Sequence, residues 1–322
     1  MKNLTKVMVL LAMFTLLACT TEMREDEDLL SEQDLNDLFN DYKELQLIDD
    51  YKMSKKELES FQKEGFVGEY VRAFNSRDTR TGEVSKIYEI GKDVYISEND
   101  MFGNLEDNKR SIQASISIGS DPFAQYRTTN LVTVNNGVRT IEIKAINFFY
   151  FQNMDRVAEG LIQAVNNYND LNLAVRFELN FYTIRTLQES WPLYTPGINV
   201  VIHNGSGSNE PGGSAVFPSS GNPGSQVRIN MATNNESINV NEHVATHEIG
   251  HCLGMRHTDF FNRAISCNSG GNEGNAGVGA IHIPGTPAQV NVDMDSVFLS
   301  CFNFFTDGEF SNFDVTALRA LY

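Results

Sequence analysis

Apolar and polar positions alternate with period two along several stretches of the chain, and one stretch keeps a helical period. Residues 87 to 97 alternate around Gly91, as two strands at a turn do. Thr140 to Ile146 puts Ile141 and Ile143 on one face. Leu173, Val175, Phe177, Leu179 and Phe181 then alternate with Ala174, Arg176, Glu178 and Asn180, the clearest strand pattern in the chain. Ile198 to Ile202 is a short apolar run suited to a buried strand, and Val227, Ile229 and Met231 alternate again. Between Asp155 and Asp170, Val157, Leu161, Ile162, Val165 and Tyr168 recur at helical spacing, with Asp155 as the expected cap. Ser54 with Glu57 makes a capping-box start for a short helix carrying Leu58 and Phe61. Asn204 to Ser225 is a Gly-, Ser-, Asn- and Pro-rich loop enclosing Ala215-Val216-Phe217. Strands with helices between them predict an α+β fold, a mixed sheet flanked by helices, and residues 51 to about 115 read as a small α+β segment preceding it.

Composition narrows the possible partners. Of 322 residues, 41% are hydrophobic and 21% charged, which supports a packed core and excludes wholesale disorder. There are 42 acidic against 25 basic side chains, a formal charge of −17. With a pI near 4.7, no nucleic-acid partner is expected, because binding phosphate needs clustered Lys and Arg. The four cysteines are too few for a disulfide-built scaffold.

The amino terminus reads as an address. Lys2 and Lys6 precede an apolar run from Val7 to Ala18 that is too short to span a bilayer. It ends Leu16-Leu17-Ala18-Cys19, which resembles the lipobox of bacterial lipoproteins, where cleavage frees a cysteine that receives lipid. Ordinary secretory cleavage near Ala18 is the other reading. Residues 1–18 are thus expected to be a signal peptide, and the mature chain an exported one. It is expected to be held at an outer membrane or cell surface by lipid on Cys19, or else periplasmic or secreted. From Cys19 to Asp50 there are twelve acidic residues and two basic ones, Arg24 and Lys43, so residues 19–50 read as a solvated tether.

The chemistry lies in His247-Glu248-Ile249-Gly250-His251-Cys252-Leu253-Gly254-Met255-Arg256-His257. On a helix His247 and His251 stand one above the other and can converge on one metal ion. Glu248 lies about 100° round the helix, beside the metal rather than on it, within reach of a bound water's proton. Gly254 tolerates the left-handed backbone that stops a helix, and the turn brings His257 back. Three neutral imidazoles leave a tetrahedral zinc ion one open position, the mark of a catalytic site.

These eleven residues resemble the signature of the metzincin clan of zinc peptidases, and His-Glu-Ile-Gly-His followed by Arg256, His257, Thr258 and Asp259 resembles its bacterial HEIGH-type members. Gln125 to Val132, His282 to Pro287, Phe310 to Asp314 and Leu321-Tyr322 are similar to further family segments. The resemblance implies a metzincin-like catalytic domain over residues 116–322, with a mixed, mostly parallel twisted sheet, an active-site helix and a C-terminal helix. It implies one zinc ion on His247, His251 and His257, Glu248 as general base, and protein or peptide substrates. Substrate would then pair along an edge strand near Ala215 to Pro218. The family's Met-turn corresponds to Asp293 to Phe298, with either Phe298 or Met294 as the apolar floor. Ser300 falls where some relatives carry a tyrosine. Residues 51–115 fall where such peptidases carry a pro-region, or else form a permanent accessory segment.

Other residues carry open readings. Asp259 either orients His257 or faces solvent. His243 reads as a histidine supporting the site or lying at the surface, and His203 and His282 as structural. Cys267 and Cys301 are expected to form a disulfide in an exported protein, leaving Cys252 buried. Asn268 to Gly277 reads as a flexible loop, with Ca2+ binding the lesser alternative. A monomer is expected. The alternative to an endopeptidase is a catalytically weak surface lipoprotein that keeps the fold to bind a host protein or glycan.

Overall fold

The computed structural model describes residues 43–48, 51–55, 57, 71–78, 82–90, 94–98, 125–146, 154–182, 197–203, 209–275, 277–286 and 292–322. The expected signal peptide, Cys19, most of the tether, and Leu58 and Phe61 lie outside these residues.

Nine strands join in one sheet among the described residues. In chain order they are β1 (Lys43–Leu47), β2 (Val71–Asp78), β3 (Val84–Ile90), β4 (Val94–Ser97), β6 (Arg139–Ile146), β7 (Val175–Tyr182), β8 (Ile198–His203), β9 (Gly213–Val216) and β10 (Gln226–Asn230). Their spatial order is β1-β2-β3-β4-β9-β10-β8-β6-β7. The part from β9 to β7 is mostly parallel, only β9 and β10 running antiparallel. Two-residue strands β5 (Tyr126–Arg127), β11 (Met255–Arg256) and β12 (Ile281–His282) form a second sheet ordered β11-β5-β12.

The two strands expected over residues 87 to 97 form, as β3 and β4, but the pairing of the amino-terminal strands departs from expectation. Lys43–Leu47 lies in the stretch read as a tether, yet it pairs antiparallel with β2. Strands β2 to β4 are an antiparallel meander that continues the main sheet, since β4 pairs in parallel with β9 through Val94↔Ala215 and Tyr95↔Val216. Composition could not reveal this, because sheet pairing is made by backbone groups. The Ser54–Glu57 box does form: the Glu57 amide donates to Ser54 Oγ (3.2 Å) and the Ser54 amide to Glu57 Oε2 (2.7 Å).

Four helices are described: α1 (Asp155–Asp170), α2 (Ile238–Leu253), α3 (Ala264–Cys267) and α4 (Asn312–Leu321). Asp155 is the first residue of α1 and not its cap; Met154 holds the cap position and no side chain bonds there. Its carboxylate still lies in the first turn, where the helix dipole favours a negative charge. Met231 leaves the strand pattern to open a 3-10 turn, Met231–Asn235. Four of the five residues of the predicted stripe form the buried face of α1: Val157, Leu161, Val165 and Tyr168 pack inward, the aliphatic ones worth about 1.5–3 kcal/mol each, whereas Ile162 is exposed because it lies about 100° round the helix from Leu161. Gly160 lets α1 approach α2 closely, for a Cβ there would lie 2.6 Å from the Asn241 backbone. Tyr168 ties the two helices together by donating to the Thr246 carbonyl (2.8 Å).

One buried carboxylate fastens the chain's last helix to the loop under α2. Asp314, at position N3 of α4, completes a capping box with Ser311. It also accepts from Gln125 Nε2 (2.7 Å), Ser296 Oγ (2.6 Å) and the Val297 amide (3.0 Å). Burial pushes its pKa from 3.8 up to about 6, against the pull of these donors. The folded state therefore binds the proton more tightly than the unfolded chain does. That contribution to stability is complete below about pH 4 and is lost as pH rises through about 6, roughly 3 kcal/mol in all. Chemical denaturation from pH 4 to 7 should show this slope in the wild type and not in Asp314→Asn, which should also be about 1–3 kcal/mol less stable at pH 7. Identical slopes in both proteins refute the assignment.

Candidate metal centre

Helix α2 is buried on every side from Val240 to Leu253, so its polar residues need partners inside the protein. Ser237 caps it, its Oγ accepting from the Val240 amide (3.2 Å), and Asn241 Nδ2 donates to the carbonyls of Thr233 and Ser237 (both 2.9 Å). The helix stops at Gly254, whose φ of 105° is left-handed. A Cβ at that position would also press on Thr128 Oγ1 at 2.7 Å, so glycine is required twice over. The chain then reverses into β11, which pairs with β5 through Met255↔Arg127 and Arg256↔Tyr126. This turn returns His257 to the face of α2 that carries His247 and His251.

The three histidines do meet. They are almost completely buried, and one ring nitrogen of each lies within 4.8 Å of the others. His257 Nε2 stands 3.2 Å from His247 Nε2 and 3.2 Å from His251 Nε2. The opposite nitrogens are all committed. Nδ1 of His247 donates to the Val297 carbonyl (2.7 Å), that of His251 to the Met255 carbonyl (2.7 Å), and that of His257 to Glu273 Oε1 (2.6 Å). A carbonyl or carboxylate oxygen only accepts, so each Nδ1 holds the proton and each Nε2 presents a lone pair. Burial foremost, with His247 and His257 alongside, pushes the pKa of His251 far below its ordinary value and keeps it neutral. Lone pairs turned toward one another repel unless a cation lies between them. Ligands held tetrahedrally at about 2.0–2.1 Å from zinc stand about 3.3 Å apart, which the observed spacings match.

Glu248 is buried beside this trio, its side chain against Gly213 of β9. The floor is Phe298: it is fully buried with its ring centroid 6.2 Å from that of His247, whereas Met294 is 56% exposed. Gly250 makes this floor possible, because a Cβ there would overlap the Phe298 ring. The turn from Ser296 to Phe298 is held by Asp314 and supplies both the carbonyl that orients His247 and one that accepts from the Thr258 amide (2.8 Å).

Asp259 does not orient His257, nor does it face solvent. It is fully buried and fastens neighbouring segments, accepting from the Ser300 amide (2.9 Å), Ser300 Oγ (2.7 Å) and Ser266 Oγ (2.6 Å). The carboxylate on His257 is Glu273, which the sequence reading missed. Burial disfavours its charge, but His257, Arg256 and Arg263 hold it well below the usual carboxylate range. Arg256, itself buried, donates to Glu273 Oε2 (3.2 Å) and to the Gly279 carbonyl (2.7 Å), fixing the loop that carries it. Glu273 is the one charged residue between Asn268 and Gly277, and that was the available signal. Its carboxylate is engaged by His257 and Arg256, so the loop is a support for the metal centre. The Cys267–Cys301 disulfide ties α3, beside this loop, to the segment after Phe298, and Cys252 is a buried free thiol.

The remaining histidines lie outside the trio. His243 is buried, its ring stacked on His247 (centroids 6.3 Å apart) and its Nδ1 2.9 Å from Thr306 Oγ1. His203 ends β8, and His282 packs edge-on to Tyr126. Ala215 and Val216 are in a strand as expected, but β9 is flanked by β10 on one side and β4 on the other, so it is no open edge.

A mixed sheet backed by a buried helix that gathers three neutral imidazoles defines a metal-dependent hydrolytic scaffold. The profile of the dual-action HEIGH metallo-peptidase family matches residues 94–322, more than half of the chain, and the chain belongs to that family, a zinc metallopeptidase. Among solved structures it is similar to metalloproteinase-II from Bacteroides fragilis, at 12% identity and a TM-score of 0.34, over 78% of this chain and 82% of that one. It is also similar to myroilysin, at 13% identity and a TM-score of 0.32, over 65% of this chain and 95% of that one. No curated protein matches the chain.

Because Glu273 fixes the tautomer and orientation of His257, Glu273→Gln should weaken zinc binding about 10–100-fold. Competition with a chromophoric chelator measures this. Unchanged affinity would detach Glu273 from the metal centre.

Proposed function

We propose that the chain is an exported zinc endopeptidase in which His247, His251 and His257 hold the metal and Glu248 is the general base. The observation that carries this reading is the convergence of three Nε2 lone pairs, each fixed by an Nδ1–H bond to Val297, Met255 or Glu273. Zinc in such a site supplies Lewis-acid polarisation of a carbonyl and acidifies water to a pKa near 7. Glu248 takes the proton of the attacking water at its carboxylate and passes it to the leaving amine nitrogen. Phe298 closes the floor, and the bonds from the three Nδ1 atoms keep the imidazoles from turning as charge develops.

The lane for an extended substrate is the outer edge of β9, and the amino-terminal segment acts as a pro-region across it. Two features favour this over a neutral accessory role. Strand β4 takes the backbone partners a peptide would use, with Tyr95 over the buried Arg228 guanidinium (5.6 Å). Phe217, just after β9, packs edge-on to His251 (5.2 Å) and is clustered with Ala73 and Tyr88 of β2 and β3. A lipid on Cys19 would tether the exported chain to a membrane, with proteins or peptides as substrates.

Digestion of protein mixtures by the zinc-loaded chain tests the activity. Glu248→Ala should lower kcat about 10²–10⁴-fold while retaining zinc, and a chelator should abolish cleavage reversibly. Equal cleavage by the Glu248→Ala variant would falsify the mechanism. Tyr95→Pro removes the ring and an amide N–H from β4 and should raise the activity of the full-length chain several-fold. An unchanged rate at unchanged melting temperature identifies the segment as a permanent accessory.

A further inference from the structure

The seat of the Glu248 carboxylate is made by a missing side chain on the neighbouring strand. A Cβ on Gly213 would stand 2.8 Å from Glu248 Cγ, 2.8 Å from Glu248 Oε1 and 2.8 Å from the Arg228 carbonyl oxygen. Gly213 is not among the positive-φ glycines, so the position needs room and not glycine's conformational freedom. Nor is the strand free to retreat. Gly212 donates its amide to Thr233 Oγ1 (3.0 Å), and its carbonyl accepts from Thr233 Oγ1 (3.0 Å) and the Asn230 amide (2.9 Å). Thr233 is in turn held to α2 by Asn241 Nδ2 (2.9 Å). Gly213 pairs with Ile229 of β10, and the Arg228 carbonyl belongs to that same interior strand. Of the three atoms a methyl group would meet, only those of Glu248 belong to a side chain that can rotate away.

We infer that Gly213 is a positioning residue for the general base: its lack of a side chain sets where the Glu248 carboxylate rests. The inference rests on the reading of Glu248 as the base. Strand β9 then has two sides of consequence, an outer edge whose backbone groups pair with β4 and an inner surface that seats the carboxylate. A single methyl group at Gly213 makes β9 give by a few tenths of an ångström at the Arg228 carbonyl and pushes the carboxylate off its seat, while the three imidazoles, which bond to other segments, stay in place.

The test compares the zinc-loaded full-length wild type with Gly213→Ala, Glu248→Gln, Glu248→Asp and the double variant Gly213→Ala/Glu248→Asp on one peptide substrate. For each, zinc content, melting temperature and a crystal structure are determined. Gly213→Ala should lower kcat about 10–100-fold with KM within about twofold, keep the wild-type zinc content, and show the carboxylate displaced by about 1 Å. The shorter aspartate draws back from the methyl group, so Glu248→Asp should cost less in the Gly213→Ala background than in the wild type. The inference is overturned if Gly213→Ala retains wild-type kcat, if the carboxylate does not move, if the two substitutions act additively, or if the variant loses zinc or fold. Peptidase activity absent from both the wild type and the Tyr95→Pro variant, or a Glu248→Gln variant as active as wild type, defeats instead the reading on which the inference rests.

Discussion

The structure depends on three hydrogen bonds that point three imidazoles at one spot. Each Nδ1–H is spent on an oxygen that can only accept, so each Nε2 presents its lone pair inward. The three acceptors come from different parts of the chain: the turn at Val297, the turn just past α2, and a loop glutamate. Bringing them together requires the fold as a whole. Without these bonds the rings would be free to rotate or exchange tautomers, and a divalent ion would have to order them at its own expense.

The supports behind those acceptors follow one pattern, a buried charge compensated by several donors. Asp314 joins α4, Gln125 and the Ser296–Val297 turn, so the carbonyl facing His247 is held by the chain's last helix. Glu273 faces His257 because Arg256, fully buried beneath it, binds the same carboxylate and the backbone of the surrounding loop. Removing one partner from such a group leaves a charge without compensation, which costs far more than a surface ion pair gives. Asp259 applies the same device to Ser266 and Ser300, next to the Cys267–Cys301 disulfide.

Glycines set the distances of closest approach. Gly160 allows α1 onto α2, Gly250 admits the Phe298 ring beneath the histidines, and Gly213 leaves space for Glu248. The aromatic floor at Phe298 needs the hollow that Gly250 provides. The amino-terminal strands add another constraint, since their pairing with β9 occupies backbone groups that the isolated catalytic sheet would leave at an edge.

The sequence by itself determined the local elements and the core of the site. Periodicity marked α1 and the strands β6, β7, β8 and β10 because each has one buried face or is buried throughout. The spacing of His247, His251, Gly254 and His257 specified a helix, a left-handed stop and a return, all local geometry. Only the tertiary structure decided which groups stand behind them. Glu273 and not Asp259 binds His257 because a loop folds back sixteen residues later, and no local period records such a return. Phe298 and not Met294 fills the floor because the Asp314 bonds set the turn. Lys43–Leu47 and β4 became part of the sheet through backbone pairing, which leaves almost no trace in side-chain pattern, so residues that read as tether and separate segment extend the catalytic sheet.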